Sequence, residues 1–220
     1  MRTNRIVLAV AMAVVSGVLL AGCACPVTPP VVPTAEVMAE EDAAPTGEQE
    51  ATGEAEQPTG GWQANGAISD GEYAHTTTIG DVALWWYNDA EFLYLAMEAP
   101  TTGWVAVGLD PEDRMQGANY LFGAVVAGEA MIWDAYGTAP AGNAHPPDEE
   151  LGGTNDIVAY AGVEEAGVTR FEVQIPLDSG DEFDKPLEAG NTYPVIAAMG
   201  ASDSFDTHHL SRGAGSLTLD

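Results

Sequence analysis

The chain has almost no cysteine and very little positive charge. Its 2 cysteines, Cys23 and Cys25, lie near the N-terminus, so the rest of the sequence forms neither a disulfide framework nor a cysteine-ligated zinc or iron–sulfur site. Only 6 Lys and Arg residues stand against 34 Asp and Glu, which gives a net charge of −28. Binding to nucleic acid or to anionic lipid by charge needs basic patches, so the composition argues against both. The acid excess fits a solvated surface, a high-salt setting or docking of a cationic partner.

Common catalytic motifs are also missing. No G-x-S-x-G sequence occurs, and no pair of acids stands out for glycoside hydrolysis. Copper would need two or three histidines at close range, and the adjacent residues His208 and His209 point to opposite faces if extended. The other histidines, His75 and His145, are expected to be exposed. Binding of a structural calcium ion by one of two acidic loops, 110–113 or 178–184, remains an alternative, although the first loop lacks the twelve-residue calcium-binding pattern.

The pattern at the N-terminus indicates a targeting segment rather than part of a folded domain. Arg2 and Arg5 form a basic region, and an apolar run over residues 6–20 follows, too short for a confident membrane span. The run ends in Leu-Ala-Gly-Cys, which resembles a bacterial lipobox. Residues 1–23 are therefore predicted to be a lipoprotein signal peptide with Cys23 as the lipidated residue, and an ordinary secretory signal is the alternative. The predicted location is extracytoplasmic, anchored to the bacterial cell membrane, or to the outer membrane if the cell has one.

Residues 24–60 differ in composition from everything that follows. They contain six prolines and eight acids but no Lys or Arg, and few large apolar residues. Such a segment cannot bury enough apolar surface to fold. We predict a disordered acidic tether that holds the following domain away from the membrane.

All five tryptophans and all seven tyrosines lie in residues 61–220. Short strand-like runs bounded by turn residues follow one another there, and no stretch shows helical periodicity. Turns are expected at 88–89 and 128–129. The pattern predicts one all-β sandwich domain of about 9–11 strands. The predicted strands are 74–79, 82–87, 91–98, 103–109, 119–126, 129–136, 156–161, 169–176, 193–201 and 216–219.

One methionine stands in an unusual setting. Met115 follows the strand-like run Gly-Trp-Val-Ala-Val-Gly, in a polar loop between Arg114 and Gln116. A thioether is a soft ligand and imidazole is a borderline one, and together they suit a low-spin haem iron. No C-x-x-C-H sequence occurs, so a haem would be bound non-covalently as b-type. From the residues alone, a core or gap-filling role for this methionine remains open.

From about residue 65 to 219 the chain resembles the DOMON domain family, which includes the cytochrome domain of cellobiose dehydrogenase. The most specific matching segments are Gly-Trp-Val-Ala-Val-Gly at 103–108, Met-Gln-Gly-Ala at 115–118 and His-Leu-Ser-Arg-Gly at 209–213. Further matches lie at 70–73, 84–86, 93–94, 134–136 and 152–157. The resemblance implies an immunoglobulin-like β-sandwich.

In haem-binding members of that family, a methionine after this strand and a histidine near the C-terminus ligate haem b. Carried over, the axial ligands are Met115 and His209, with His208 as the alternative. Tyr120 and Phe122 are expected to pack against the porphyrin. Arg212 is expected to pair with a haem propionate, or else to form a salt bridge.

The implied function is electron transfer by a lipid-anchored domain that is not itself an enzyme and serves a separate redox partner. The alternative is a haem-free module that binds sugars or another extracellular ligand through exposed aromatics such as Trp62 or Trp133.

Overall fold

A computed structural model describes residues 61–220. The predicted signal peptide (1–23) and tether (24–60), including Cys23, lie outside the described residues. Ten strands form two five-stranded sheets, and every strand pairing is antiparallel. Sheet A has the order β1-β2-β3-β8-β7 and sheet B the order β10-β9-β4-β5-β6. The predicted all-β sandwich of 9–11 strands is confirmed.

The elements, in chain order, are β1 (His75–Ile79), β2 (Val82–Asn88), β3 (Phe92–Ala99), β4 (Val105–Leu109), β5 (Asn119–Val126), β6 (Glu129–Tyr136), α1 (Asp148–Leu151), β7 (Ala159–Glu165), β8 (Val168–Pro176), β9 (Thr192–Gly200) and β10 (His209–Thr218).

Two strand predictions need correction. β10 begins at His209, not at residue 216. The Gly- and Ser-containing run that precedes Leu217 has no apolar alternation to mark it as a strand, but it pairs with β9 along its length. β7 occupies 159–165 rather than 156–161. Its predicted first residue, Asp156, uses its backbone N–H to bond the Asp134 carboxylate (2.9 Å) instead of a neighbouring strand. The strand then turns back into β8 through Ala166 and Gly167, both with positive φ, as a tight two-residue hairpin requires.

The main core lies between the two sheets. Alternate residues of β2, β3 and β8 point inward from sheet A, and alternate residues of β4 and β9 meet them from sheet B. Phe171 is fully buried, and its ring lies against Gly123 and Gly162, where a Cβ would collide with it. These positions explain why core residues recur at every second position along β2, β3, β4, β8 and β9.

The outer face of sheet A is covered by the segment that precedes β1. Glu172 on β8 is fully buried and accepts hydrogen bonds from the backbone N–H of Asn65 (2.9 Å) and Gly66 (2.6 Å) and from the Tyr73 hydroxyl (2.9 Å). A carboxylate with three donors satisfies the demand that buried charges be hydrogen-bonded. Within residues 61–220 no helix is long and apolar enough to cross a membrane.

Candidate functional site

The outer face of sheet B is apolar, although nothing from sheet A packs on it. Residues of β4, β5 and β9 that alternate with the main core form a second cluster there, which we call the outer-face cluster. Its buried members are Trp104, Ala106, Ala118, Tyr120, Phe122, Ala124 and Ala135, and Met115, Val126, Trp133, Ile196, Ala198 and Phe205 pack against them. A sheet face that would ordinarily be solvated is therefore built as a second hydrophobic surface.

Small residues make room for aromatic rings on this face. A Cβ at Gly108 would lie 2.7 Å from the Tyr120 ring, and one at Gly200 would overlap the Trp104 indole. The rings of Tyr120 and Phe122 stack with centroids 5.2 Å apart. Glycine and alanine thus let flat side chains lie close to the strands.

Two loops cover the outer-face cluster. The loop 137–147 places His145 against Phe122 (centroids 4.7 Å) and Tyr120 (5.8 Å). The loop 201–208 places Phe205 against Trp133 (4.0 Å) and Phe122 (5.2 Å). The two loops are joined where Asn143 Nδ2 donates to Asp206 Oδ1 (2.7 Å). Together they form a cover over the apolar face.

Met115 lies at the edge of this face and is half-buried against the outer-face cluster. Its loop is fixed by backbone hydrogen bonds, since Gly117 N–H donates to Gly137 O (2.8 Å) and Gly137 N–H donates to Ala118 O (2.9 Å). The turn uses positive φ at Arg114 (57°) and Gly117 (75°). A Cβ on Gly137 would overlap the Met115 carbonyl oxygen, so the two loops approach as closely as glycine allows.

The C-terminal candidates lie on the edge strand of sheet B. His209 stands opposite Gly200, and Arg212 stands opposite Ala198, at either side of a bulge in β10. Since opposite residues share a face, Arg212 lies on the outer face at the end of a row that continues through Ala198, Ala106, Phe122 and Trp133. His208, His209 and Arg212 are exposed, and Arg212 forms no ion pair with any residue of 61–220.

The structure brings together some of the predicted site residues. Met115, Tyr120 and Phe122 meet in the outer-face cluster, whereas His209 and Arg212 belong to the neighbouring edge strand. The site also contains His145, which the sequence predicts to be exposed. It is half-buried against aromatic rings, and this burial lowers its pKa. No periodicity marks a residue in a Gly- and Pro-rich loop, so the sequence carries no signal for its position.

The residues on this face fit a haem. The face offers flat apolar surface with many alanines, a thioether at Met115 and an imidazole at His145, and the exposed His209 stands at its edge opposite Gly200 of β9. A guanidinium on the same face, that of Arg212, is free to pair with a carboxylate. Soft thioether and imidazole donors beside an apolar surface are the combination that haem iron takes in cytochromes.

Comparisons with known proteins give one family and several distant structures. The DOMON domain family matches residues 81–200, which is more than half of the chain. No curated protein matches. The cytochrome b domain of a pyranose dehydrogenase from Coprinopsis cinerea is 11% identical, with a TM-score of 0.44 over 62% of this chain and 76% of that one.

Two further structures are similarly remote. The cytochrome domain of the Myriococcum thermophilum cellobiose dehydrogenase is 8% identical (TM-score 0.45, covering 63% of this chain and 75% of that one). A family 9 carbohydrate-binding module from Caldicellulosiruptor kristjanssonii, in complex with glucose, is 13% identical (TM-score 0.41, 74% and 94%). With TM-scores below 0.5, these likenesses say nothing about what this chain binds.

Proposed function

Because the chain belongs to the DOMON domain family, we propose that it is a b-type haem-binding domain that transfers electrons. The observation that carries the proposal is the half-buried Met115, held at the edge of an apolar sheet face with histidines on the adjoining loop and strand. When bound there, haem supplies reversible one-electron exchange between ferric and ferrous iron.

The chain's own residues have distinct roles in this proposal. Met115 and His209 would ligate the haem iron, with His208 as the alternative to His209. Tyr120 and Phe122 provide apolar surface and exclude water, and Arg212 holds a propionate by a charge-assisted hydrogen bond. Because two side chains of the chain would ligate the iron, the iron would not bind a substrate, and we assign the domain no catalytic residue.

The loops 137–147 and 201–208 lie over the surface where haem would bind. Phe205 and His145 lie on the surface that haem would need, so the loops 137–147 and 201–208 must move aside when haem enters. The hydrogen bond between Asn143 and Asp206 joins the two loops by polar atoms at an exposed position, and exposed bonds of this kind open at small cost. This arrangement supports entry of a ligand from the solvent side of sheet B.

We further propose that Cys23 is lipidated and that the domain stands outside the cytoplasm on the tether 24–60. Its electron partner is then a separate protein at the same membrane surface. The net charge of −28 would attract a partner that presents a basic patch.

A visible spectrum of the full-length chain, produced with a haem supply, tests the proposal. Sharp reduced α and β bands of a six-coordinate low-spin haem are the expected result. Met115→Ala should give a five-coordinate or high-spin spectrum. His209→Ala should do the same, and His208→Ala, tested separately, decides between the two candidate histidines. His75→Ala, on β1 of sheet A, is the matched control that keeps the low-spin bands. A colourless protein that also refuses added haemin would contradict haem binding, and an unchanged Met115→Ala spectrum would show that another residue ligates.

A second candidate function, sugar binding, is favoured by one observation. A groove of about 400 Å³ on the outer face of sheet A is lined by Trp85 together with Asp70, Glu98 and Arg170. An aromatic ring beside polar side chains suits a sugar. The two aromatics expected to be exposed for this role are half-buried, since Trp62 packs on Tyr94 and Trp133 packs on Phe205.

Calorimetric titration of the chain with cello-oligosaccharides tests this candidate. Binding that Trp85→Ala abolishes, and that Met115→Ala leaves intact, would establish a sugar site independent of haem. Absence of binding heat would dismiss it.

A further inference from the structure

Four aspartates from four separate segments converge beside the open edge between β6 and β7. Asp134 lies on β6, Asp148 begins α1, Asp156 precedes β7, and Asp184 lies in the loop between β8 and β9. One carboxylate oxygen from each of Asp134, Asp156 and Asp184 lies within 4.8 Å of the others. We call these four residues the acid cluster. It is separate from the outer-face cluster, because Asp134 pairs with Leu121 of the main core and so faces inward.

Several oxygen atoms of this cluster are buried without any partner. Asp148 is 0% exposed, and neither of its carboxylate oxygens has a hydrogen-bond donor. Asp134 is 3% exposed and its Oδ1 is likewise unpartnered. Buried acceptors are almost always satisfied in folded proteins, so unsatisfied oxygens at one point indicate a missing electropositive partner.

An uncharged side chain points into the same place. Asn119 is 7% exposed, its Nδ2 donates to the Asp184 carboxylate, and its Oδ1 has no partner. Rotation of the amide by 180° exchanges these two atoms without changing the shape of the side chain. The rotated amide offers Oδ1 to the acid cluster, as a further neutral oxygen ligand.

No described basic side chain neutralises these acids. The ion pairs within residues 61–220 join His75 to Asp220, Arg170 to Glu98, and Lys185 to Asp110 and Glu112. Carboxylates gathered so closely repel one another unless protons or a cation bind between them.

We propose that the acid cluster is a divalent-cation site that takes Ca²⁺, with Asp134, Asp148, Asp156 and Asp184 as carboxylate ligands and Asn119 as an amide ligand. The donor set consists entirely of oxygen and comes from two loops, the start of α1 and two strands, which suits the six to eight oxygens and loose geometry of Ca²⁺ better than the strict octahedron of Mg²⁺. The loop 178–184, which the sequence analysis kept as a possible calcium loop, contributes one of the four carboxylate ligands.

The bound cation would add to the side-chain contacts that already join these parts of the chain, such as the hydrogen bonds from Asp156 N–H to Asp134 Oδ2 (2.9 Å) and from Thr154 Oγ1 to Asp181 Oδ2 (3.0 Å). It would connect β6 to the loop 177–187 and to the segment that leads into β7. Through Asn119 it would also reach the first residue of β5, directly after the Met115 loop. The site is therefore structural, and it does not depend on haem.

Calorimetric titration of the EDTA-treated full-length chain with CaCl₂ tests the proposal, with MgCl₂ as the comparison cation. We expect one Ca²⁺ per chain, weaker binding of Mg²⁺ and a higher Tm when Ca²⁺ is added. Asp148→Asn and Asp134→Asn should weaken Ca²⁺ binding by about tenfold or more. Asp178→Asn is the matched control, because Asp178 is an exposed acid in the same loop that carries no ligand role, and its variant should bind Ca²⁺ as the wild type does.

Melting curves recorded in EDTA distinguish a variant that has lost Ca²⁺ binding from one that has lost stability. Each Asp→Asn change removes a buried negative charge, so the metal-free variants should melt at or above the wild-type Tm while losing the response to Ca²⁺. The proposal is overturned if millimolar Ca²⁺ produces neither heat nor a Tm change, or if Asp178→Asn loses binding as much as Asp148→Asn does. It is also overturned if the two ligand variants melt below the wild type in EDTA and still respond fully to Ca²⁺.

Discussion

Replacement of Gly137 by alanine should displace the Met115 loop while leaving the sandwich folded. A Cβ at this position would overlap the Met115 carbonyl oxygen and lie 2.8 Å from its carbonyl carbon, with the Ala118 nitrogen at 3.3 Å. Real Cβ contacts below 3.0 Å essentially never occur, so the carbonyl must retreat by on the order of 1 Å against close packing. No flexible side chain can absorb the shift, since all three contacts are backbone atoms.

The energetic cost follows from the bonds on either side. Gly117 N–H to Gly137 O (2.8 Å) and Gly137 N–H to Ala118 O (2.9 Å) join the two loops, and a shift of that size weakens both. With about 1 kcal/mol for each weakened hydrogen bond and a similar amount for residual overlap, the free energy of unfolding should fall by about 2–3 kcal/mol. A metal ligand displaced by that distance no longer reaches its iron, so the haem-loaded variant should lose its low-spin bands.

Urea unfolding followed by tryptophan fluorescence measures the first effect, and the visible spectrum measures the second. Gly61→Ala is the matched control, because a Cβ there meets nothing within 4 Å. Stability equal to that of Gly61→Ala would refute the contact argument. A large loss of stability with an unchanged low-spin spectrum would instead show that the position of Met115 does not determine the iron ligation.

Three other substitutions test the fold and its pH dependence by urea unfolding. Phe171→Ala should lower the free energy of unfolding by about 3–5 kcal/mol, because it empties a fully buried space between the sheets; a loss below about 1 kcal/mol would contradict the packing described. Glu172→Gln should lower the free energy of unfolding by about 1–3 kcal/mol, since it puts an amide N–H₂ among three donors that include Tyr73. It should also expose the segment before β1 to proteolysis, and unchanged protection from protease would contradict this prediction. Burial lowers the pKa of His145 below 6.5, so the unfolded chain takes up this proton more readily. The contribution of His145 to stability should therefore fall as the pH drops below about 6.5 and stay constant above it. His145→Phe should flatten that acid limb, and an equally steep limb in the variant would assign it to another group.

The sequence predicts the strands well where one face of a strand is buried and the other is not. β8 alternates apolar and polar residues over 171–175, and β2 and β3 are apolar runs bounded by turn residues. The predicted and observed bounds of these three strands differ by no more than about a residue or two. β10 is the exception: only Leu217 within it is buried, so backbone pairing with β9 rather than hydrophobic pattern fixes its start at His209. A strand that is buried on both faces shows no alternation of apolar and polar residues. β5 is buried along most of its length, so its sequence does not indicate that Phe122 faces away from the main core.

The sequence identifies some residues of the candidate sites and not others. Met115 is marked by its polar neighbours and by the family motif around it. The acid cluster is not marked, because Asp134, Asp148, Asp156 and Asp184 are four among 34 acids, and only tertiary structure brings them together. His145 lies in a loop whose path over the outer face depends on contacts with Phe122 and Tyr120 that no local pattern encodes.

The strand order of the two sheets has a consequence for how the chain acquires its fold. The first six strands can form only two separate three-stranded meanders, β1-β2-β3 and β4-β5-β6. Sheet A becomes five-stranded when β8 pairs with β3, and sheet B when β9 pairs with β4, and in each case four strands intervene along the chain. Contacts so distant in sequence form slowly, on a timescale of about milliseconds to seconds. A growing chain therefore cannot complete its core until β9 has been synthesised, and a fragment that ends before it should expose the apolar edges of both meanders and aggregate.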